Sequence, residues 1–293
     1  IICMALAMGS LGLSAQAQDD PNHSRGPNFF RPYDKTGINR FETTKDDFYK
    51  PYEGFKVSFG GGFTAQFQSL KHQNPGALHS DINGAEAADR VNALNPIKPG
   101  FMTAQANFNI DVQLADGIRL NLSNYLSTRH HNEFWVKGGY IQMDKLPFDL
   151  DFTNELMKYV TVKVGHMEIN YGDDHFRRPD GGHTLYAPFM EGNIMDAFAT
   201  EMAGEIYAQH NGIFGMVGLS NGMIKGSVDS LPDNSDGTGT ARPSIYFKGG
   251  IDKQVNDYTR VRLSGSWYHN KGSNGSGLTL YSGDRSGSNY QNV

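Results

Sequence analysis

The chain has 293 residues, with 26 Lys and Arg, 31 Asp and Glu, and a net charge of −5. This slightly acidic balance argues against a nucleic-acid-binding protein with a basic face. A mean hydropathy of −0.51 is too polar for a helical membrane protein. The 35 glycines and 12% aromatic residues are typical of a β-rich chain with many turns. A single cysteine excludes a disulfide framework.

Residues 1–17 have the features of a secretory signal peptide. Residues 1–13 are apolar or small throughout, and Ala15-Gln16-Ala17 has the small-residue pattern of a cleavage site. The apolar run is too short to span a bilayer. Because the basic n-region that normally precedes such a run is missing, we expect the sequence to begin inside its own signal peptide. Residues 18–54 are polar without a regular period, which predicts a loosely ordered leader.

From residue 55 onward, apolar and polar residues alternate with a period of two, which predicts about nine β-strands. In the first strand Phe59 and Phe63 share one face, whereas Ser58 lies on the other. The predicted strands cover 55–68, 102–114, 118–127, 134–143, 160–164, 198–209, 213–219, 245–252 and 260–267, with a candidate tenth near 278–281. Ala115-Asp116-Gly117 is typical of a tight hairpin turn, since Asp-Gly supplies the positive φ that such turns require.

Strand length and loop asymmetry favour an all-β, antiparallel, up-and-down transmembrane β-barrel. The longest strands exceed the roughly 5–6 residues usual in soluble proteins and suit a tilted membrane-spanning strand of about 9–11 residues. Short turns mostly alternate with long polar loops, as in outer-membrane barrels. The connections 130–133 and 144–156 break this alternation. The alternative architecture is a secreted or surface β-sandwich that binds a ligand and has no channel.

In such a barrel the apolar strand faces meet outer-membrane lipid and the polar faces line a water-filled lumen. The predicted lipid-facing set is Phe59, Phe63, Phe108, Ile110, Val112, Leu120, Leu122, Val162, Phe247 and Leu263.

Three stretches carry a resemblance to a known family. They are the strand from Val162 to Gly172, the following His175-Phe176-Arg177-Arg178, and the hairpin from Ala203 to Gly218. Together they resemble the porin O/P (phosphate-selective porin) family, particularly the porins of the Bacteroidetes outer membrane. With 134–147 and 281–285, the similarity covers roughly half the chain or more. The resemblance implies a passive pore in the bacterial outer membrane for small hydrophilic solutes or anions, trimeric, with about 16 strands. Residues 18–54 would then lie in the periplasm.

We also expect residues 55–293 to be an incomplete barrel, truncated at the C-terminus. Nine or ten strands close only a narrow barrel that its own side chains largely fill. After Arg285 the sequence is polar and rich in Gly and Ser, unlike a closing amphipathic strand. The first strand, 55–67, should therefore lack a partner on one side.

Candidate solute-binding residues come from a loop and from strand parity, which is the face of a strand that each residue takes in the two-residue alternation. Loop 173–197 is predicted to fold into the lumen, and it contains His175, Arg177 and Arg178. Arginine binds phosphate and carboxylate with two parallel hydrogen bonds, and basic rings select anions in pores. The alternative is an external loop with solvated charges. Strand parity adds Arg119, Lys163, Arg260, Arg262, Glu201 and Glu205 as lumen-facing candidates, with Lys56, Lys248, Asp111 and Asp252 on the same face.

Arg260 and Arg262 form the densest basic patch, because they are two positions apart and so share one face of a strand. Their alternative role is to pair with Glu201 or Glu205 across the lumen.

The sequence predicts no enzyme, no metal site and no cofactor. His130 and His131 point to opposite sides of a strand, so they chelate poorly. His166, His175 and His183 do not have zinc-binding spacing. A G-x-S-x-G motif, which would indicate a serine hydrolase, does not occur.

Overall fold

The computed structural model describes residues 40–42, 52–69, 71, 99–126, 135–148, 150–176, 199–222 and 242–270. These residues form one antiparallel sheet with a short α-helix and a single 3-10 turn. The strands are β1 (Lys56–Gln68), β2 (Gly100–Ala115), β3 (Ile118–Leu126), β4 (Trp135–Met143), β5 (Val160–Glu168), β6 (Thr200–His210), β7 (Ile213–Ser220), β8 (Ser244–Asn256) and β9 (Thr259–Asn270). Helix α1 is Asp151–Met157, and the 3-10 turn is Asp174–Phe176. The all-β, antiparallel prediction is confirmed.

The nine strands lie side by side in their chain order, from β1 to β9. Each strand pairs only with its neighbours in sequence, as expected for hairpins connected one after another. Within the described residues β1 pairs only with β2, and β9 pairs only with β8. The described sheet is therefore open, with one free side on its first strand, as predicted.

Connections at the two ends of the sheet differ in length. At one end, two-residue turns at 116–117, 211–212 and 257–258 join successive strands. We call this the short-turn end. Asn211 and Gly212 both have positive φ, at 50° and 78°, which matches the backbone twist of a tight hairpin. Helix α1 lies at the same end, between β4 and β5, and accounts for the long connection 144–156 that broke the predicted alternation.

The two faces of the sheet are opposite in polarity, and it is the polar face that is buried. On β6, Glu201 and Glu205 have no exposed surface, whereas Ile206, on the other face, is 50% exposed. The same alternation runs along β7 and the first half of β8. All ten residues of the predicted lipid-facing set lie on the apolar face, where they are exposed or partly exposed. The prediction that these ten residues share one face of the sheet is confirmed.

A small cluster of apolar side chains packs on the polar side of the sheet. It contains Met167, Ile169, Ala199, Ala203, Tyr207, Met216 and Tyr246, with Tyr140, Tyr171 and Tyr268 packed against it. Ile169 and Tyr171 belong to the segment that follows β5, so this cluster lies where that segment meets the sheet. None of the helices in the described ranges is long and apolar enough to cross a membrane.

Candidate functional site

Residues 169–176, which follow β5, cross the polar face instead of leaving the sheet. We call them the inserted segment. Its Ile169 N–H donates to the Ala199 carbonyl at 2.9 Å, and its Gly172 N–H donates to the Ser266 Oγ of β9 at 3.0 Å. Gly172 has a φ of 65°, a left-handed conformation that favours glycine. A segment that begins at β5 thus reaches the far side of the sheet.

The first four residues of loop 173–197 belong to the described part of the chain. These residues, 173–176, lie over the polar face, where Asp173 contacts β8 and β9. His175 is buried, and its ring centroid is 4.0 Å from that of Phe176. Arg177 and Arg178, the main anion-binding candidates, lie outside the described residues, as does the rest of the loop up to residue 197.

A cluster of six charged side chains lies where the inserted segment meets the polar face. We call it the central cluster: Glu42, Asp173, Lys248, Asp252, Arg260 and Arg262. The Lys248 Nζ lies 2.8 Å from Glu42 Oε1 and 2.8 Å from Asp173 Oδ1. Three bases and three acids make up the cluster, so its formal charges balance.

Arg262 is the most connected member of the central cluster. Its guanidinium lies 2.7 Å from Asp173, 2.8 Å from Glu42 and 3.0 Å from Asp252. Arg260 adds two hydrogen bonds to Asp252, at 2.5 and 2.9 Å. The predicted basic patch therefore exists, but its partners are these three acids rather than Glu201 or Glu205.

Asn170 connects the inserted segment to the cluster and to the sheet. Its side-chain Nδ2 donates to Glu42 Oε1 at 3.0 Å, and its Oδ1 accepts from the Lys248 Nζ at 2.7 Å. Its backbone N–H donates to Glu205 Oε1 at 2.8 Å. One residue thus fixes the height of the inserted segment above β6 and β8.

Aromatic rings line the same cluster. The Arg262 guanidinium lies 3.9 Å from the centroid of the Phe41 ring and 4.9 Å from that of Phe214. The Lys248 ammonium lies 5.0 Å from the Phe176 centroid. A cation over an aromatic face is attracted by the ring quadrupole, more strongly where water is excluded. The rings therefore help to hold Lys248 and Arg262 in place.

The charge of Asp173 is stabilised by its partners. Burial alone raises the pKa of this carboxyl, but hydrogen bonds from Arg262, Lys248 and Ser264 outweigh burial and hold the pKa well below its ordinary value. Ser264 contributes its Oγ at 2.8 Å. Asp173 is therefore ionised at neutral pH and binds the inserted segment to β8 and β9.

Glu201 and Glu205 lie beside the central cluster and are held by hydroxyl groups. Glu205 accepts hydrogen bonds from the Tyr207 hydroxyl and, at 2.9 Å, from the Tyr246 hydroxyl. Glu201 accepts from Ser220 Oγ and, at 3.1 Å, from the Tyr268 hydroxyl. Parity placed both carboxylates on the correct face, and the structure adds the tyrosines that surround them.

Two further predicted bases, Arg119 on β3 and Lys163 on β5, lie outside the central cluster. Arg119 is 1% exposed and forms an ion pair with Asp144, which also accepts a hydrogen bond from Thr161 Oγ1 at 2.7 Å. The Lys163 ammonium lies 4.1 Å from the centroid of the Tyr140 ring. These contacts place Arg119 and Lys163 on the polar face but apart from the central cluster.

Sequence reasoning missed two residues of the site, Glu42 and Asn170. Glu42 belongs to the polar leader 18–54, where no pattern distinguishes it from other acidic residues. Asn170 follows β5 in a stretch without charge. Neither residue carries a signal that strand parity could detect. The described residues contain no group of three or more His, Cys, Asp and Glu side chains arranged to hold a metal ion.

Comparisons of the chain with protein-family models, with curated proteins and with solved structures returned no match. The resemblance to the porin O/P family therefore stays a prediction from the residues quoted for it.

Proposed function

We propose that the chain forms the wall of a porin, a passive diffusion channel for small hydrophilic solutes in the bacterial outer membrane. The observation that supports this most is the polarity of the sheet, whose buried face is polar and whose exposed face is apolar. On that exposed face Phe63 is 72% and Leu263 70% exposed. A soluble protein rarely leaves an apolar surface of this extent in water. Contact with lipid removes the free-energy cost of exposing this apolar surface to water.

Backbone hydrogen bonding also suits a membrane. In hydrocarbon, each N–H and C=O needs a partner within the protein. The interior strands β2 to β8 have a neighbour on each side, so they meet this requirement. The edge strands β1 and β9 need further strands, and we propose a closed barrel of about 16 in total. A homotrimer is the assembly that the porin O/P resemblance implies.

A β-sandwich accounts less well for the same sheet. Sandwiches bury the apolar face of one sheet against the apolar face of another and expose polar residues outward. Here the described ranges contain one sheet, and its polar residues are the buried ones.

We propose only a weak ion preference for the part of the channel formed by the described residues. The predicted bases Arg119, Arg260 and Arg262 each form ion pairs with acids, and the charges of the central cluster balance. Any bias toward anions or phosphate then depends mainly on Arg177 and Arg178.

Conductance in planar lipid bilayers tests the proposal. The purified full-length protein, with the strands that complete the proposed barrel, should give stepwise openings and a heat-modifiable gel mobility, and the reversal potential in a salt gradient should report its ion preference. Cysteine substitutions give a matched control. A charged, water-soluble thiol reagent should reduce conductance through Ser58→Cys, on the polar face, and not through Phe59→Cys, its neighbour on the apolar face. Solubility without detergent, together with silent bilayers, would contradict a channel.

A further inference from the structure

The carboxylate of Glu42 occupies a site that other residues build. Its Oε1 lies 2.8 Å from the Lys248 Nζ and 3.0 Å from the Asn170 Nδ2, and its Oε2 lies 2.8 Å from an Arg262 nitrogen. The Lys248 side chain is fully buried, and that of Arg262 is 10% exposed. Two cations and one amide donor thus surround both oxygens of a single carboxylate.

The fit at one of these oxygens is incomplete. Glu42 Oε2 is buried and, within the described residues, receives no hydrogen bond. It is close enough to Arg262 for an ion pair, but no N–H group of the guanidinium points at it. A carboxylate tethered to the backbone at residue 42 cannot rotate freely to correct this geometry, whereas a free carboxylate can rotate until both oxygens face their donors.

We propose that Lys248, Arg262 and Asn170 form a binding site for small carboxylate solutes, which Glu42 fills as an internal competitor. The location of this site inside a channel rests on the proposed function, whereas the binding chemistry does not. Without Glu42, the central cluster has three bases and two acids, so one positive charge is unbalanced. A bound carboxylate restores the balance.

The site distinguishes a carboxylate from simpler ligands by its shape. Arg262 approaches one oxygen, and Lys248 and Asn170 approach the other, so a ligand needs two oxygens in one plane. Chloride offers a single centre and satisfies one side only. Acetamide has the shape of acetate but carries no charge, and its NH2 group would meet the cations on one side.

The experiment compares Glu42→Ala with a matched control, Glu53→Ala, in the full-length protein in detergent. Glu53 also lies in the leader, but it forms an exposed ion pair with Lys56. Each variant is placed in sodium acetate, or in sodium chloride with and without acetamide, at equal ionic strength. The folded fraction and the thermal unfolding midpoint are measured. Because a ligand stabilises the state that binds it, acetate should raise the midpoint of Glu42→Ala by about 2–4 °C over chloride. Glu53→Ala and acetamide should show no such gain.

A second variant, Glu42→Ala with Lys248→Met, should abolish the acetate effect. The proposal is overturned if Glu42→Ala has the same folded fraction and the same unfolding midpoint in acetate as in chloride, whatever their absolute values. Bilayer recordings separate this result from the channel. If acetate stabilises Glu42→Ala but the protein does not conduct, the carboxylate site is supported and the channel is refuted. If the protein conducts but acetate does not stabilise Glu42→Ala, the channel is supported and the site is refuted.

Discussion

Asp173 accepts hydrogen bonds from two nitrogens of Arg262, at 2.9 and 2.7 Å, although 89 positions separate the two residues in the chain. A two-pronged pair between arginine and a carboxylate fixes orientation as well as distance. This pair ties the inserted segment to β9, and Ser264 strengthens the connection from the same strand. The position of the inserted segment over the polar face therefore depends on the charge of Asp173.

The first prediction concerns the pH dependence of stability. Asp173 has a lower pKa in the folded protein than its ordinary value of 3.8, so its contribution is present above that pH. The contribution is lost progressively as the pH falls from 3.8 toward the lower pKa of the folded state, because the unfolded state binds the proton first. Acidification should lower the thermal unfolding midpoint of Asp173→Asn by less than it lowers that of the wild type, as measured by circular dichroism. Asp174→Asn, at the neighbouring position, should keep the wild-type profile. Identical acid profiles for wild type and Asp173→Asn would exclude this role.

The second prediction concerns the two faces of β2. Phe108→Arg places a charge on the apolar face, where it should cost about 2–4 kcal/mol at the membrane midplane and prevent assembly. Asn109→Arg places the same charge on the polar face, beside Asp111, and should be tolerated. The heat-modifiable band on a gel measures the folded fraction of each. Equal tolerance at both positions would refute the assignment of the faces.

The third prediction concerns two glycines of β7. A Cβ at Gly218 would overlap the ring of the buried Tyr246, whose hydroxyl would be 2.6 Å away. Gly218→Ala should displace that ring from Glu205 and cost about 1–3 kcal/mol. A Cβ at Gly215 meets nothing within 4 Å, so Gly215→Ala should be close to neutral. The free energy of unfolding, from denaturant titration in detergent, compares the two. A neutral Gly218→Ala would mean that Tyr246 is not confined.

The fourth prediction concerns Arg177 and Arg178, which lie outside the described residues. If they line the lumen, replacing both with Ala should lower anion preference and leave folding nearly unchanged, since loops tolerate substitution. The measurement is the reversal potential in a salt gradient. A double control, Lys158→Ala with Lys253→Ala, removes the same charge from exposed positions at the short-turn end. An equal shift in both double variants would indicate a general effect of net charge.

Much of the sheet could be predicted from the sequence because a half-buried strand repeats its polarity every two residues. Phe108 and Asn109 show this directly, since parity alone placed them on opposite faces. The sequence defines strand ends poorly where glycines interrupt the pattern. Strand β5, predicted as 160–164, runs to Glu168 through Gly165, which has a φ of 155°. The candidate strand near 278–281 lies outside the described residues.

The central cluster could be predicted only in part. Lys248, Asp252, Arg260 and Arg262 follow from strand parity, because their own strands orient them. Their pairing with Glu42 and Asp173 does not follow from parity, since both acids lie outside strands and reach the cluster through the path of the chain. Local periodicity carries no information about such long-range contacts. The sequence pattern did not predict helix α1, because seven residues are too few to show a helical period.

The agreement between chain order and spatial order has a consequence for how this sheet is built and altered. Among the described residues every strand pairing joins sequence neighbours. The hairpins with turns at 116–117, 211–212 and 257–258 can therefore form from local segments without closing a long loop. The sheet can then grow strand by strand onto an existing edge. Removing or duplicating one hairpin changes the width of the sheet by two strands and leaves every other register intact. In the proposed barrel, whole hairpins would therefore set the size of the lumen, independently of the side chains that would choose the solute.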